Sequence, residues 1–112
     1  MPKQYTSAIE ENIFMARVCE QTQRFSDMLE YLTFVLAEKG SELSVDERNL
    51  FSVACKNLLA ANRTAWRTVV ALLPNPKYQR YVKSLKEYKE LAKKNIVDDS
   101  QRVIDLVKQQ VL

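Results

Sequence analysis

Apolar residues recur every three or four positions along most of this chain, which is the spacing of one buried helix face. The pattern begins at Ile9, Ile13 and Ala16. Ser7 and Glu10 stand three residues apart at its start, an arrangement that can form a capping box in which each residue satisfies the other's backbone N–H. We therefore predict a loose tail over residues 1–6 and a first helix over about 8–22.

A second apolar pattern predicts a helix over residues 25–39, and its members are Met28, Leu29, Leu32, Val35 and Leu36. Gly40, the chain's single glycine, follows the last of them. Helices often end on a glycine in the left-handed conformation, because glycine has no Cβ to clash there. We expect Gly40 to cap this helix.

Two longer helices are predicted in the remainder of the chain. Ser44 and Glu47 form a second potential capping box and open a helix over residues 45–73. The "PNP" sequence at 74–76 ends it, and Asn75 can cap a fourth helix over residues 76–111 with Pro76 at its first position. Tyr81, Leu85 and Tyr88 have core spacing there, and we interpret them as core or dimer contacts.

Composition supports an all-α protein of at most one domain. The chain has 112 residues, 46% of them hydrophobic, with one Gly and three Pro, so few positions break a helix. It has no histidine, which excludes His-based triads and His-ligated metal sites within this chain. Cys19 and Cys55 lie among apolar residues, and we expect both to be buried. We expect no cofactor and no bound metal.

Targeting signals are not evident in the sequence. We find no signal peptide before the first helical pattern and no run of 18 apolar residues. We therefore expect a protein of the cytoplasm, with the nucleus as a further compartment. We expect no membrane partner.

Charge is distributed unevenly along the chain, although the formal net charge is only +3. Residues 1–47 hold nine acidic and four basic residues, whereas residues 48–86 hold eight basic residues and no acidic one. The last segment, 87–112, has five of each. A mild net charge therefore conceals one strongly basic segment.

The third predicted helix carries part of this charge on one narrow line. On a helical wheel Asn49, Ser52, Lys56, Arg63 and Arg67 fall close together. The far side is apolar and comprises Leu50, Ala54, Leu58, Ala61, Ala65 and Val69.

Two interpretations of this line are open. A solvated helix edge is the common one, but such edges usually mix signs at i and i+4. Three cations without a carboxylate favour a bound anion, and Arg and Lys together suit phosphate. Lys56 and Arg63 cannot coordinate a phosphate fully, so we expect a further donor from another helix.

The residues of this helix resemble a known family. "ELSVDERNLFSVACKNLLAANRTAWR" is similar to the third-helix signature of the 14-3-3 family, and "MARVCEQTQRFSDM" resembles that family's first-to-second helix segment. "KEYKELAKKNI" is similar to its fourth helix, less closely. The resemblance implies an all-α array of antiparallel helices, of which residues 1–112 would be the N-terminal dimerisation half. It also implies a non-catalytic adaptor that binds phosphoserine or phosphothreonine motifs in a basic groove.

The resemblance assigns roles to residues of this chain. Lys56 and Arg63 match the family's phosphate-binding lysine and first phosphate-binding arginine. The residues expected to line the same groove are Asn49, Ser52, Val53, Ala60 and Arg67. Phosphorylated proteins are therefore the expected partners.

The resemblance also implies a homodimer, or a heterodimer with another family member. The matching interface positions are Val18, Cys19 and Thr22 on the first helix, Arg24 and Asp27 after it, and Ala65, Val69 and Tyr88 on the third and fourth. Arg24 and Asp27 match residues that form ion pairs across the family's dimer. Their partner positions hold Leu91 and Asn95 here, so we expect those pairs to be lost.

The chain departs from the family pattern at other positions. It reads Cys55 for a tyrosine, Ala60 for a glycine, and Asn62-Arg63 for paired arginines. The family's proteins are longer, and their second phosphate-binding arginine, the adjoining tyrosine and the opposite groove wall lie on later helices. We therefore expect that these 112 residues are a fragment of a longer adaptor.

Two other function classes remain as alternatives. The basic segment, with Tyr78, Tyr81 and Tyr88 among its cations, could suit a nucleic-acid-binding module, although we expect no nucleic acid as partner. A purely structural helical oligomerisation module is the other alternative. No nucleophile–base pair, metal set or glycine-rich phosphate loop supports an enzyme.

Overall fold

The protein is all-α in the computed structural model, which describes the backbone of residues 2–111 and the side chains of residues 8–109. No strand occurs within that part of the chain. The elements in chain order are α1 (Pro2–Gln21), α2 (Phe25–Lys39), a 3₁₀ helix (Gly40–Glu42), α3 (Val45–Leu72), a second 3₁₀ helix (Pro76–Tyr81) and α4 (Val82–Val111).

Helix α1 begins at Pro2, six residues before the predicted start at residue 8. The predicted loose tail is therefore wrong. Proline is tolerated in the first turn because the N–H it lacks has no helical partner there, and no Gly or Pro follows before Gly40. The side chain of Ser7 lies outside the described residues, so the predicted capping box with Glu10 does too.

A tight turn at residues 22–24 joins α1 to α2, and the two helices pack against each other. The N–H of Arg24 donates to Cys19 O at 2.9 Å, and that of Gln23 donates to Glu20 O at 3.2 Å. Gln23 has φ +59°, the one non-glycine residue with positive φ in the described chain. These bonds satisfy carbonyls that the end of α1 would otherwise leave open.

Helix α2 has the predicted bounds, and Gly40 follows it with φ +56°. The Gly40 N–H donates to Leu36 O, as expected of a residue that ends a helix. Its ψ of −122° differs from the predicted left-handed helical conformation, and this combination is open mainly to glycine.

The predicted capping box at the start of α3 is confirmed. The Glu47 N–H donates to Ser44 Oγ at 3.1 Å, and the Ser44 N–H donates to Glu47 Oε1 at 2.8 Å. Each side chain thus satisfies one of the N–H groups that a helix start leaves without an intrahelical acceptor.

The turn after α3 also differs in detail from the prediction. Asn75 Oδ1 accepts from the Lys77 N–H at 2.9 Å, so the predicted cap is present. However, residues 76–81 wind as a 3₁₀ helix, and α4 begins at Val82 rather than at 76. The Tyr78 N–H reaches back three residues to Asn75 O at 3.0 Å, the bond type of the tighter helix.

The chain forms two compact units, Met1–Leu58 with Val103–Leu112 (unit 1) and Leu59–Arg102 (unit 2). Unit 1 holds the main core, in which Met28, Leu29, Leu32 and Val35 are fully buried. The two predicted buried cysteines are buried, Cys19 and Cys55 both belonging to this core.

Unit 2 has a much thinner core. Among its described residues only Val69 and Ala92 are buried hydrophobic residues. Tyr81 and Tyr88 are 53% and 51% exposed, while Leu85 is half-buried. The two tyrosines are therefore not core residues of this chain, and the dimer contact that was the other part of the interpretation stays a prediction. Ala61, placed on the apolar side of α3 by its spacing, is exposed as well. Helical spacing marks a face, but a face is buried only where another element covers it.

None of the described helices combines the length and apolar character that a membrane crossing requires.

Candidate functional site

The polar line of α3 is exposed within unit 1. Asn49, Ser52 and Lys56 are exposed, and Val53 beside them is half-buried. The neighbouring positions Leu50, Phe51, Ala54, Cys55 and Leu58 are all buried. The core contacts therefore fix which side of α3 faces solvent, and Lys56 projects from that side.

The remaining predicted site residues lie in unit 2. Arg63 and Arg67 are exposed there, and Ala60 is half-buried. All of these residues belong to helix α3, Val45–Leu72.

The three cations of this line lack acidic partners. Among the described residues, the four ion pairs involve other side chains, so none forms at Lys56, Arg63 or Arg67. Their charge is therefore not neutralised by a carboxylate. An exposed cation without a counter-ion can accept an anion such as phosphate with little competition.

Asn62 has a role that the sequence did not reveal. Its Nδ2 donates to Asp99 Oδ2 at 2.8 Å and to Asn95 O at 3.4 Å, which ties α3 to α4 inside unit 2. Asp99 also lies 4.0 Å from Arg102 Nη1. The family pattern has an arginine at this position, and here the side chain is engaged with α4. The acidic pair Asp98 and Asp99 on the following helix was the only feature of the sequence that could have indicated an acceptor for Asn62.

The residues of α1, the following turn and α2 that are expected at a dimer interface come together in unit 1. Val18, Cys19, Thr22, Arg24 and Asp27 line one concavity of about 710 Å³. Its remaining lining residues are Met15, Glu30 and Tyr31. Both apolar and charged side chains therefore line this concavity.

Two charged groups of this concavity, Arg24 and Asp27, pair with each other. Arg24 Nε lies 2.6 Å from Asp27 Oδ2, and the hydrogen bond to Asp27 raises the pKa of the guanidinium further above its ordinary value. Burial raises the pKa of the Cys19 thiol, and the nearby Asp27 charge adds to that effect. Cys19 thus remains a neutral, packed side chain.

The other predicted interface positions lie in unit 2. Ala65 is half-buried and Val69 is buried, whereas Tyr88 and Leu91 are 51% and 50% exposed. Asn95 is exposed, and its carbonyl oxygen accepts from Asn62.

Metal-binding clusters are not found in the described part of the chain, where no three His, Cys, Asp or Glu side chains are placed to hold an ion.

Comparison with known proteins identifies one family. The model of the family described as 14-3-3 protein matches residues 15–112. The chain is 35% identical over 104 residues to 14-3-3 protein 2 of Solanum lycopersicum, covering 89% of this chain and 41% of that protein. It is 39% identical over 87 residues to 14-3-3-like protein C of Nicotiana tabacum, covering 74% of this chain and 34% of the relative.

A third relative gives the same result. The chain is 41% identical over 85 residues to 14-3-3-like protein A of Hordeum vulgare, covering 71% of this chain and 32% of that protein. Matches to these three relatives therefore span between 32% and 41% of the relatives' length.

Proposed function

This chain belongs to the 14-3-3 family, and from that premise we propose that it is part of a non-catalytic adaptor that binds phosphoserine- or phosphothreonine-containing proteins. Lys56 and Arg63 contact the phosphate in this proposal. Asn49, Ser52, Val53, Ala60 and Arg67 line the groove beside them.

One observation carries the proposal: α3 presents exposed cations that have no carboxylate partner among the described residues. A charge-assisted hydrogen bond to phosphate contributes about 1.5–3 kcal/mol. Two such donors offset only part of the free energy lost on association. The phosphate cage therefore requires donors that this chain does not supply, in keeping with its match to less than half of each relative.

Dimerisation is part of the same proposal. The concavity lined by Val18, Cys19 and Thr22 would receive the third and fourth helices of a partner, through Ala65, Val69 and Tyr88. Because Arg24 and Asp27 pair within the chain, the contact would rest on apolar groups rather than on ion pairs. We propose that the protein acts in the cytoplasm or the nucleus.

The test is a titration of the 112-residue chain with a phosphoserine peptide, followed by NMR at the amides of residues 49–67. We expect saturable shifts with a Kd near millimolar, about 4 kcal/mol of binding free energy. The unphosphorylated peptide should produce none. Lys56→Glu should abolish the shifts, because it places a negative charge beside the phosphate.

Lys93→Glu is the matched control, since it makes the same charge change at an exposed position of a different helix, α4. It should bind like the parent. Binding of the Lys56→Glu variant within twofold of the parent would contradict the proposed role of the polar line.

A further inference from the structure

The second 3₁₀ helix carries a surface of cations and tyrosines in which Lys77, Arg80 and Tyr81 are exposed and Tyr78 is half-buried. We define the basic-aromatic surface as Lys77, Tyr78, Arg80 and Tyr81, all of them in unit 2. In a 3₁₀ helix residues three apart lie in one row, with a separation of about 6 Å. Lys77 and Arg80 therefore share one row, and Tyr78 and Tyr81 share the next.

Hydrogen bonds hold this segment in a defined conformation. Gln79 Nε2 donates to Leu73 O at 3.1 Å and to Asn75 O at 3.2 Å, and Asn75 Oδ1 accepts from the Lys77 N–H. The surface is therefore exposed without being an unstructured loop, so a ligand would not have to order the backbone.

Each cation of the surface lies against a ring. Arg80 Cζ is 5.3 Å from the centroid of Tyr81, and Lys77 Nζ is 5.8 Å from that of Tyr78. Tyr81 is nevertheless 53% exposed, so much of its ring remains open to solvent. An aromatic ring with an open side next to an arginine is a platform on which a nucleic-acid base can stack.

The electrostatic setting favours a polyanion. Within the described part of the chain neither Lys77 nor Arg80 forms an ion pair, and no acidic residue occurs between positions 48 and 86. Lys83 and Lys86 follow within a few residues and are exposed. The local potential is therefore positive over a distance comparable to the Debye length at physiological salt.

We propose that the basic-aromatic surface binds single-stranded nucleic acid, with Arg80 and Lys77 on phosphates and Tyr81 stacked on a base. An acidic peptide would use the cations but would leave the exposed ring without a role. A helix that lies in a membrane surface buries an apolar face of residues such as Trp, Phe or Leu, and the segment has none of these three. Spacing alone predicts Tyr81 as a core or dimer contact. Its exposure excludes the core of this chain and leaves the ring available for stacking.

This inference does not depend on the phosphopeptide function, because Lys56 and Arg63 take no part in it. The experiment measures fluorescence anisotropy of a labelled oligothymidine of about 10 nucleotides with the 112-residue chain at several salt concentrations. We expect a Kd of about 10–100 µM at low salt, in the range of non-specific binding. Tyr81→Ala should weaken binding by about tenfold, and Tyr81→Phe should retain it, because stacking needs the ring and not the hydroxyl.

The salt dependence distinguishes direct contacts of Lys77 and Arg80 with phosphates from attraction by the overall positive charge of the chain. Lys77→Gln with Arg80→Gln should reduce the slope of log K against log salt by about 1.4, since each phosphate that is no longer neutralised accounts for about 0.7. Lys93→Gln with Lys108→Gln removes the same charge elsewhere and should leave the slope and the affinity near those of the parent. Circular dichroism verifies that each variant is folded.

Three outcomes would overturn the inference. The first is an absence of binding between the parent chain and the oligonucleotide at low salt. The second is a Lys93 and Lys108 control that loses as much affinity as the surface variant. The third is binding to phosphatidylserine vesicles that depends on Lys77 and Arg80, with no binding to the oligonucleotide.

Discussion

Glu47 is the one buried charged residue among the described side chains, and its carboxylate accepts three hydrogen bonds from two donor groups. Lys39 Nζ lies 2.8 Å from both carboxylate oxygens, and the Ser44 N–H donates to Oε1 at 2.8 Å. Burial by itself would raise the pKa of Glu47, but the hydrogen bonds from Lys39 and Ser44 outweigh it and lower the pKa below its ordinary value. The start of α3 is thereby fastened to the end of α2.

Glu47→Gln should lower the free energy of unfolding by about 1–2 kcal/mol at about pH 7, because it leaves Lys39 without its charged partner. A lowered pKa in the folded state means that the contribution is full above the ordinary pKa of 4.5 and is lost as the pH falls through the folded-state value. The difference between parent and variant should therefore shrink between about pH 5 and about pH 3. Urea unfolding at both pH values measures it.

Glu42→Gln is the control for that experiment, since Glu42 is exposed in the 3₁₀ helix that precedes α3. It should change the free energy of unfolding by no more than a few tenths of a kcal/mol. A deficit of the Glu47 variant that stays constant down to about pH 3 would mean that the ionised carboxylate is not what stabilises this junction.

At the scale of the elements, Asn62 provides the described side-chain hydrogen bonds between α3 and α4. A hydrogen bond in a protein typically contributes about 1 kcal/mol, and one to a fully charged group up to about 1.5–3 kcal/mol. We take the lower value because this contact is only partly buried. Asn57 offers a close comparison. Its Nδ2 donates to Val53 O at 2.8 Å, four residues back within α3.

Asn62→Ala should unfold at lower urea than Asn57→Ala, with a difference in free energy of about 1 kcal/mol. Both substitutions gain the same helix propensity, so the difference reports the bond to α4. A double-mutant cycle with Asp99→Ala should give a coupling of about 1 kcal/mol between positions 62 and 99. Additive effects within about 0.3 kcal/mol would show that the two side chains do not interact appreciably in solution.

The sequence was informative where local chemistry decides the structure. The bounds of α2, the start of α3 and the Ser44–Glu47 box follow from apolar spacing and capping residues alone. The sequence was misleading where the burial of a residue depends on which helix faces pack against each other. Tyr81 and Tyr88 have core spacing, yet no described element covers them. The Asn62–Asp99 bond joins residues 37 positions apart, a pairing that no local pattern encodes.

The candidate site was predictable to the same extent. Spacing placed Lys56 and Arg63 on one side of α3, and both are exposed. The pairing of Arg24 with Asp27 was not predicted, although the two residues have the i, i+3 spacing at which opposite charges meet on a helix. The resemblance matches both residues to ion pairs across the family's dimer, which we expect to be lost because Leu91 and Asn95 hold the partner positions. Within this chain the two side chains pair with each other.

At the scale of the whole molecule, the two units differ in how much apolar surface they bury. Unit 1 contains all four fully buried large side chains, whereas the buried hydrophobic residues described in unit 2 are Val69 and Ala92. Apolar burial is the main favourable term in folding, so resistance to local opening should follow this division.

Native-state hydrogen exchange should reveal the difference. We expect the amides of Met28, Leu32 and Leu36 to exchange only through global unfolding. Amides of residues 85–95 should open with a free energy smaller by at least about 1.4 kcal/mol, which corresponds to about tenfold faster exchange. Equal opening free energies in both segments would show that the chain unfolds as one cooperative body.

The thin core of unit 2 also bears on how such a protein can change over evolutionary time. A substitution at an exposed position usually alters stability by less than about 0.5 kcal/mol, so it rarely unfolds the chain. Of the five departures from the family pattern named above, four fall in this unit, as does the basic-aromatic surface, and they are Ala60, Asn62, Leu91 and Asn95. The fifth, Cys55, lies in the core of unit 1. Unit 2 is therefore the part of the molecule in which new binding properties can arise by drift, while the packed core of unit 1 keeps the fold.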